Sequence, residues 1–479
     1  MQSELKNKSV KGVVWNLLEN ISSYIIRFII GIILARLLTP ADYGIIGMTV
    51  IFFSIADVLI NSGFGQAFIQ KKDADENDAN TVFSTNFFLS LAIYAIFWFS
   101  APYIAVFFNQ EILTKLIRVM SIVVIINSLN IIQLAIIRKN LEFKKKTLIT
   151  FISSIISGVI GIICAYKGLG VWSLVVQQIT NRTIICLGLY LTSKWKLRFS
   201  FSYSSFLTMF SYGSWLLLTN ITIKIFDNLY RFVIGKFFPA SDLGLFDRGQ
   251  QFPSMIHQQF TWSVGAVAFP VYSKLLDNNE ELEKALLRFV KYSSMITLPL
   301  LAILYIVAEP FILLLLTEKW AGVIPFLKIS CLIGMVAPLY EFLTQFIEAI
   351  GFTKKTFRYT LLLNILRILN VILNLRNGIE AILIGELVIK ILALLYVSTV
   401  ARKYMGFNFL KIIYKIKTLV FCLIPTILAG WGILLFCPDS LYVKLLLPSI
   451  IMLSVNFGLL FVFNKNLILS VVKFLKNRV

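Results

Sequence analysis

Long apolar runs follow one another along the whole chain, and short polar turns separate them. Each run has about 20 mainly apolar residues, enough for a helix to cross a hydrocarbon core ~30 Å thick. The alternation over about ten residues that is typical of membrane β-strands is missing. The pattern predicts an all-α polytopic membrane protein with about fourteen transmembrane helices. The predicted spans are 12–37, 43–69, 81–107, 112–137, 147–166, 169–192, 206–235, 243–272, 287–315, 321–350, 356–375, 379–401, 412–435 and 441–463.

Composition agrees with a membrane location. Of the 479 residues, 58% are hydrophobic and only 14% are charged, whereas about a quarter of the residues in soluble domains are charged. The net charge of +21 would indicate a nucleic-acid partner in a soluble protein. Here the basic residues lie mainly in short turns, where they act as a topology signal, and we expect no nucleic-acid partner.

The turns between the predicted spans alternate in charge. About 29 basic residues fall in one set of turns together with both termini, and about seven fall in the other set. Basic turns remain in the cytoplasm. The sequence therefore predicts a multi-pass membrane protein with both termini in the cytoplasm.

The chain contains an internal repeat with an offset of about 200 residues. The turn with Asp42 and Gly44 returns as Asp242 and Gly244, and Trp15 returns as Trp215. Each copy holds six predicted spans, so the copies have the same orientation in the membrane and a pseudo-twofold axis along its normal. We expect two six-helix lobes at 1–200 and 201–405, followed by two added helices within 406–479. We also expect a short amphipathic cytoplasmic helix at 279–290 and a basic amphipathic tail at 467–475.

Ionisable residues at membrane depth are costly and normally face a cavity or a partner. Mid-span cations outnumber anions in the first lobe, which favours an anionic cargo such as phosphate or pyrophosphate. Lys224, Asp227 and Arg231 are spaced to share one helical face. The 200-residue offset of the repeat aligns Arg27 with Asp227. These two side chains either form an ion pair between the lobes or bind the cargo separately. The predicted cargo-binding residues are Arg27, Arg118, Arg182, Lys224, Arg231 and Arg367.

Asp57 and Asp227 are the candidates for carrying a coupling ion. For Asp57, a hydrogen-bonded structural carboxylate is the favoured alternative. The lone His257 is interpreted as a polar core residue.

Enzymatic chemistry finds no support in the sequence. The five cysteines are scattered and form no metal-binding or disulfide pattern. There is no glycine-rich phosphate loop with lysine. We therefore expect no metal and no cofactor, and a transporter instead of an enzyme.

Several motifs resemble the bacterial polysaccharide (O-antigen type) flippases of the multidrug/oligosaccharidyl-lipid/polysaccharide exporter superfamily. The similar stretches, within about 1–400, are residues 15–16, 34–44 (LARLLTPADYG), 63–71 (GFGQAFIQK), 243–248 (LGLFDR), 269–273 (FPVYS) and 316–320 (LTEKW).

The resemblance implies two six-helix lobes around a central cavity and alternating access. It also implies a cargo of oligosaccharide on undecaprenyl pyrophosphate, flipped from the cytoplasmic to the periplasmic leaflet of the bacterial inner membrane. Such cargo supplies lipopolysaccharide O-antigen or other surface polysaccharide, which makes the bilayer and the polysaccharide polymerase machinery the expected partners. The last two helices can form a groove for the lipid tail.

Three alternatives stay open at this stage. A cation-coupled multidrug exporter of the same fold requires an anionic cavity, for which the first lobe offers only Asp57. A peptidoglycan-precursor flippase shares the cationic cavity. A membrane polymerase or ligase would use carboxylates near Asp42 or Asp242.

Overall fold

The computed structural model describes residues 24–476 apart from 62–63, 72, 141, 194, 196–197 and 406–408. Within this part the regular structure is helical, and it contains no strand. The first part of the predicted span 12–37, the repeat residue Trp15 and the motif residue Gly63 lie outside it. The helices are α1 (24–37), α2 (Pro40–Asn61), α3 (Phe64–Gln70), α4 (Glu76–Phe108), α5 (Ile112–Met120), α6 (Ile122–Lys139), α7 (Phe143–Tyr166), α8 (Trp172–Thr192), α9 (Tyr203–Asp227), α10 (Leu229–Phe237), α11 (Ala240–Lys274), α12 (Asn279–Ile306), α13 (Ala308–Leu316), α14 (Val323–Ala349), α15 (Thr353–Asn374), α16 (Ile379–Met405), α17 (Phe409–Phe436) and α18 (Leu441–Lys476).

The protein is a polytopic helical membrane protein, as predicted. Among the described residues, ten helical segments are long and apolar enough to cross a membrane. Each of the fourteen predicted ranges holds helix, but α1, α8, α9 with α10, and α11 are not among the ten. Polar side chains such as Gln177, Gln178 and Arg182 lower the hydropathy of α8. The count of fourteen therefore stays a prediction.

Among the described residues, three predicted spans are divided between two helices, a detail that hydropathy alone does not reveal. The breaks lie between α5 and α6, α9 and α10, and α12 and α13. At the second break the amide of the buried Asn228 donates to the Lys224 carbonyl at 2.8 Å and to Ser54 Oγ at 3.2 Å. The face predicted for Lys224, Asp227 and Arg231 is therefore interrupted at Asn228.

The predicted amphipathic segment 279–290 does not form a separate helix. It is the first part of α12, which runs to Ile306. The Asn278 side chain accepts a hydrogen bond from the Glu281 N–H at 3.1 Å, which caps the helix. The helix continues beyond residue 290 because it contains no glycine and its first proline is Pro299. At the other end, α18 continues through 467–475, and the amphipathic character of this tail stays a prediction.

The chain forms two compact units, Met1–Gly244 and Leu245–Val479. In the first unit α4 packs on α6, and α7 packs on α8. In the second unit the fully buried Tyr272, Phe342 and Phe346 form part of the core, with the Tyr272 and Phe346 rings in edge contact at 5.6 Å. The predicted lobes 1–200 and 201–405 and the added segment 406–479 stay a prediction.

The turn before α2 explains part of the Thr39–Gly44 motif. The backbone N–H and the hydroxyl of Thr39 donate to Asp42 Oδ2 at 2.9 and 2.7 Å. Pro40 occupies the first helical position, where its missing N–H costs nothing. The motif is a helix start, so Asp42 has a structural partner here.

Candidate functional site

A polar cavity of about 470 Å³ lies inside the first unit. It is bounded by side chains from α1, α2, α5, α6, α7 and α8. Apolar residues such as Ile30, Phe53 and Val124 form part of its surface. Its polar lining consists of Arg27, Asp57, Asn127, Thr150, Ser154, Ser157, Gln177, Gln178, Asn181 and Arg182.

Helix α7 is positioned by a polar stripe on an otherwise apolar surface. Thr150, Ser154 and Ser157 are spaced at i, i+4 and i+7 and therefore share one face. The opposite face exposes large apolar side chains such as Ile152, Ile155 and Val159. In a bilayer the apolar face contacts lipid, which turns the hydroxyl stripe toward the interior of the unit.

Small residues let α7 approach its neighbours closely. A Cβ on Gly158 would overlap the Ile30 side chain of α1, and one on Gly161 would lie 3.0 Å from Gln177 Cβ of α8. Asn181 Nδ2 donates to Ser153 Oγ at 3.4 Å and to Ser157 Oγ at 3.3 Å. Such packing is usual between membrane helices, and it fixes the part of α8 that carries Arg182.

Asp57 of α2 has a hydrogen-bonding partner in the cavity. Asn127 Nδ2 donates to Asp57 Oδ1 at 2.8 Å, and Arg182 and Lys224 act on the carboxylate electrostatically. This contact favours the interpretation of Asp57 as a hydrogen-bonded structural carboxylate.

Arg27 reaches the cavity from α1. Its guanidinium lies over the Tyr24 ring, 5.0 Å from the centroid. A cation over an aromatic face is attracted by the ring quadrupole. The structure thus brings together Arg27, Asp57 and Arg182, three of the eight residues predicted from depth and charge.

Arg118 is not among the residues that line this cavity. Its Nε donates to the Trp98 carbonyl oxygen at 3.2 Å, and its guanidinium lies 4.8 Å from the Trp98 ring centroid. Pro102, four residues after Trp98 in α4, has no N–H to give to that carbonyl. Arg118 supplies the missing donor, which is a structural task.

Lys224, Asp227 and Arg231 lie near the α9–α10 break. Lys224 Nζ is 4.0 Å from Asp227 Oδ2, and both side chains are exposed. Arg231 Nη1 donates to Asn228 Oδ1 at 3.0 Å. The meeting of Arg27 with Asp227 stays a prediction.

Arg367 belongs to the second unit and is held by an ion pair. Its Nη2 and Nε donate to the two carboxylate oxygens of Glu386 at 3.1 and 3.3 Å, and its Nη1 contacts Asn364 Oδ1 at 3.4 Å. The Glu386 side chain is only 8% exposed. This two-pronged contact joins α15 to α16.

A family model described as "Polysaccharide biosynthesis protein" matches residues 33–325 of the chain. The chain belongs to this family. The teichuronic acid biosynthesis protein TuaB of Bacillus subtilis (strain 168) is 25% identical over 333 residues, or 69% of each chain. The lipopolysaccharide biosynthesis protein WzxC of Escherichia coli (strain K12) is 20% identical over 90% of this chain and 88% of its own length. The resemblance predicted from the motifs is confirmed.

A solved structure with a similar fold is that of the lipid II flippase MurJ in an inward closed conformation. It matches with a TM-score of 0.76 at 17% identity, over 94% of this chain and 100% of that one. At this identity the likeness shows the fold, and it supports the polytopic helical architecture of this family member.

The uncharged polar lining was missed by the sequence analysis, which considered only ionisable residues. A signal was present: Gln177 and Asn181 are spaced at i and i+4 on α8, beside the hydroxyl stripe of α7. Polar residues at helical spacing within an apolar run indicate a face turned away from lipid. In the described part of the chain, no group of three or more His, Cys, Asp or Glu side chains is arranged to hold a metal ion.

Proposed function

We propose that this protein is a flippase. It moves oligosaccharide repeat units linked to undecaprenyl pyrophosphate from the cytoplasmic to the periplasmic leaflet of the bacterial inner membrane, for surface polysaccharide assembly. Membership of the polysaccharide biosynthesis family and the fold shared with a lipid II flippase support this role. The single observation that carries it is the polar cavity with Arg27 and Arg182 inside a unit of apolar helices.

The two arginines come from different helices, α1 and α8, and line the same cavity. A guanidinium binds phosphate oxygens through two parallel hydrogen bonds, and charge-assisted contacts are stronger where water is scarce. Arg27 and Arg182 together therefore fit an anionic headgroup better than a cationic drug. In this proposal Arg27 and Arg182 hold the pyrophosphate, with Lys224 and Arg231 as further cations. Arg118 and Arg367 act in folding.

Transport proceeds by alternating access, with the site open first to the cytoplasm and later to the periplasm. Each state binds the cargo with similar affinity, because a ligand shifts an equilibrium only through its differential affinity. The prenyl chain stays in lipid, near the last two helices. Asp57 and Asp227 are the proposed coupling-ion sites. Both termini are cytoplasmic, and polysaccharide polymerase machinery receives the cargo without chemical change during transport.

The test uses purified protein in liposomes that contain a fluorescent undecaprenyl-pyrophosphate oligosaccharide. A membrane-impermeant quencher reports how fast label crosses between leaflets. We expect wild type to speed crossing, and the double variant Arg27→Ala/Arg182→Ala to lose most of that rate. Lys115→Ala, which removes an exposed cation of α5, serves as the control.

Two results would contradict the proposal. Wild-type protein that moves no lipid-linked sugar would remove the transport role. Elongation of the sugar chain, detected by mass spectrometry of the recovered lipid, would point to the polymerase alternative.

A further inference from the structure

A smaller cleft lies beside the ends of α6 and α8. We call it the entry cleft; its polar lining includes Gln133, Asn140, Glu142, Lys145 and Thr192. Its volume of about 60 Å³ equals that of about two water molecules. At its outer end the exposed Glu142 and Lys145 form an ion pair at 2.6 Å, whereas Gln133 is only 1% exposed. The entry cleft therefore leads from the protein surface to a buried amide.

The entry cleft and the polar cavity lie in the same groove between two packed helices, α6 and α8. On α8, Ile185 lines the cavity and Leu189 lines the cleft, a separation of about 6 Å along the helix axis. On α6, Asn127 lines the cavity and Gln133 lines the cleft, a separation of about 9 Å. Only one to two helical turns therefore separate the two spaces.

Three amide side chains of α6 cross this separation. We call Asn127, Asn130 and Gln133 the amide row; their spacing of i, i+3 and i+6 places them on one side of the helix. Asn130 is only 4% exposed. Among the described residues, neither Asn130 Oδ1 nor the Oε1 and Nε2 atoms of Gln133 have a hydrogen-bond partner. Burying unpaired amides is costly, so packing alone does not explain these side chains.

Water is the ligand that suits the amide row. A buried water makes about three hydrogen bonds and usually satisfies buried polar groups that lack a protein partner. An amide side chain both donates and accepts, so each member of the row can hold a water on either side. The Tyr190 hydroxyl of α8 donates to the Leu129 carbonyl oxygen at 3.3 Å, which leaves its own lone pairs as further acceptors beside the row.

The inner end of the amide row is Asp57. Asn127 Nδ2 donates to Asp57 Oδ1 at 2.8 Å. The charged groups around this carboxylate are Arg27, which lines the same cavity, and Arg182 and Lys224, which act on it electrostatically. Arginine keeps its proton in proteins. Of the described residues that line the cavity, Asp57 is therefore the one that can take up and release a proton.

We propose that the groove between α6 and α8 is a proton route, in which water held by the amide row carries protons between the cytoplasm and Asp57. Each water accepts a proton on one side and gives one up on the other, and the last water gives its proton to the Asp57 carboxylate; the reverse steps return it. The amides orient the water and keep their own protons. The route opens beside the basic α6–α7 turn, so Asp57 exchanges protons with the cytoplasm while cargo fills the cavity. This inference rests on the proposed function, which makes Asp57 a coupling-ion site and the turn cytoplasmic.

The first test detects water in the groove. Millisecond X-ray pulses convert water into hydroxyl radicals, which oxidise the nearest side chains of the purified protein in detergent, and mass spectrometry measures the oxidation. Tyr190 is the probe. We expect it to be oxidised in wild type and about fivefold less in Asn130→Leu/Gln133→Leu, because leucine gives a buried water no hydrogen bond. The exposed Tyr103 is the internal reference and should not change.

The second test follows protons in liposomes that hold a trapped pH-sensitive dye and the fluorescent lipid-linked oligosaccharide. We expect wild type to move protons as lipid crosses, and Asp57→Asn to move none. Asn130→Leu/Gln133→Leu should slow proton movement about tenfold because the file of water is broken. Calorimetric affinity for a short-chain prenyl pyrophosphate should stay within about twofold of wild type, since neither residue lines the cavity.

Matched variants separate the proton route from a general effect of buried amides. Asn86 of α4 is fully buried, and neither its Oδ1 nor its Nδ2 has a hydrogen-bond partner, but it lines neither the cavity nor the entry cleft. Asn86→Leu should therefore leave Tyr190 oxidation and proton movement unchanged. Gln133→Ser keeps a polar group and leaves room for water, so it should retain proton movement. Melting temperatures confirm that each variant is folded.

The outcomes separate the proton route from the proposed function. Equal Tyr190 oxidation in wild type and the double variant, or undiminished proton movement in that variant, overturns the route alone. Wild type that moves lipid without moving protons also overturns the route and leaves the flippase role intact. Wild type that moves no lipid overturns both. Slowed proton movement in Asn86→Leu would show that the amide row has no special part in it.

Discussion

Gly44 and Gly244 occupy equivalent places on the two sides of one close backbone contact inside the first unit. A methyl group on Gly44 would overlap the carbonyl oxygen of Ala240, and one on Gly244 would overlap the carbonyl oxygen of Pro40. The 200-residue offset of the repeat exchanges the two contacts, because it aligns Gly44 with Gly244 and Pro40 with Ala240, so the contact is reciprocal. The repeated Asp-x-Gly motif is therefore used on both sides of one local contact. Only glycine permits this distance.

Gly44→Ala is expected to destabilise the protein by about 1–3 kcal/mol, the usual cost of overpacking. Gly244→Ala should have the same effect because the contact is reciprocal. Thermal unfolding of the purified protein in detergent measures the change. Gly432→Ala is the control: it lies within α17, no atom lies within 4 Å of a Cβ there, and alanine favours helix. Equal melting temperatures for all three variants would show that the close contact does not form.

Arg118→Met is expected to lower stability by about 1–2 kcal/mol, because the Trp98 carbonyl loses its donor. In a Pro102→Ala background the effect should shrink, since residue 102 then supplies an N–H to that carbonyl. A double-mutant cycle of thermal unfolding measures the coupling. Lys115→Met on the same helix is the control. Additive effects would show that Arg118 does not compensate for Pro102. Loss of transport with unchanged stability would assign Arg118 to cargo binding.

Glu386→Gln is expected to cost about 3–5 kcal/mol, because Arg367 keeps its charge in a partly buried place and loses its ion-pair partner. Replacing both residues, as Arg367→Met with Glu386→Leu, should restore much of the stability. Unfolding in detergent gives the free energies, and transport per folded molecule should stay near the wild-type level in the double variant. A double variant that folds well but does not transport would show that Arg367 serves the cargo.

Asp57→Asn is expected to leave folding intact, since the new side-chain oxygen can still accept from Asn127. It removes the carboxylate from the cavity lining, so anionic lipid should bind roughly fivefold more tightly and turnover should slow as release becomes limiting. Calorimetry and the liposome assay measure the two quantities. Unchanged affinity together with lower stability would mean that Asp57 acts only as a structural carboxylate.

Hydropathy was sufficient to place helix in every predicted span, and the Thr39–Gly44 motif marks the start of α2. Depth and charge selected Arg27, Asp57 and Arg182, which line the same cavity. The same criteria also selected Arg118 and Arg367, because their partners, the Trp98 carbonyl and Glu386, are about twenty residues away in the chain. Pairing of that kind is set by tertiary packing. Residue type alone does not reveal it.

The break at Asn228 and the uncharged polar lining of the cavity were not predicted, for different reasons. The break depends on a side-chain amide that contacts Ser54 across 174 residues, which no local pattern encodes. The uncharged lining consists of residues whose polarity is modest one at a time and is significant only when α7 and α8 combine them. A search for hydroxyl and amide side chains at helical spacing would have found it.

Two guanidinium groups and one carboxylate give the charged lining of the cavity a net charge of one positive unit. A doubly negative headgroup reverses that sign when it binds. An interior-negative voltage then pushes the loaded protein's negative charge outward and pulls the empty protein's positive charge inward. Each unit charge that crosses the full field gains about 2.3 kcal/mol per 100 mV, so one electrical gradient would drive both halves of the cycle.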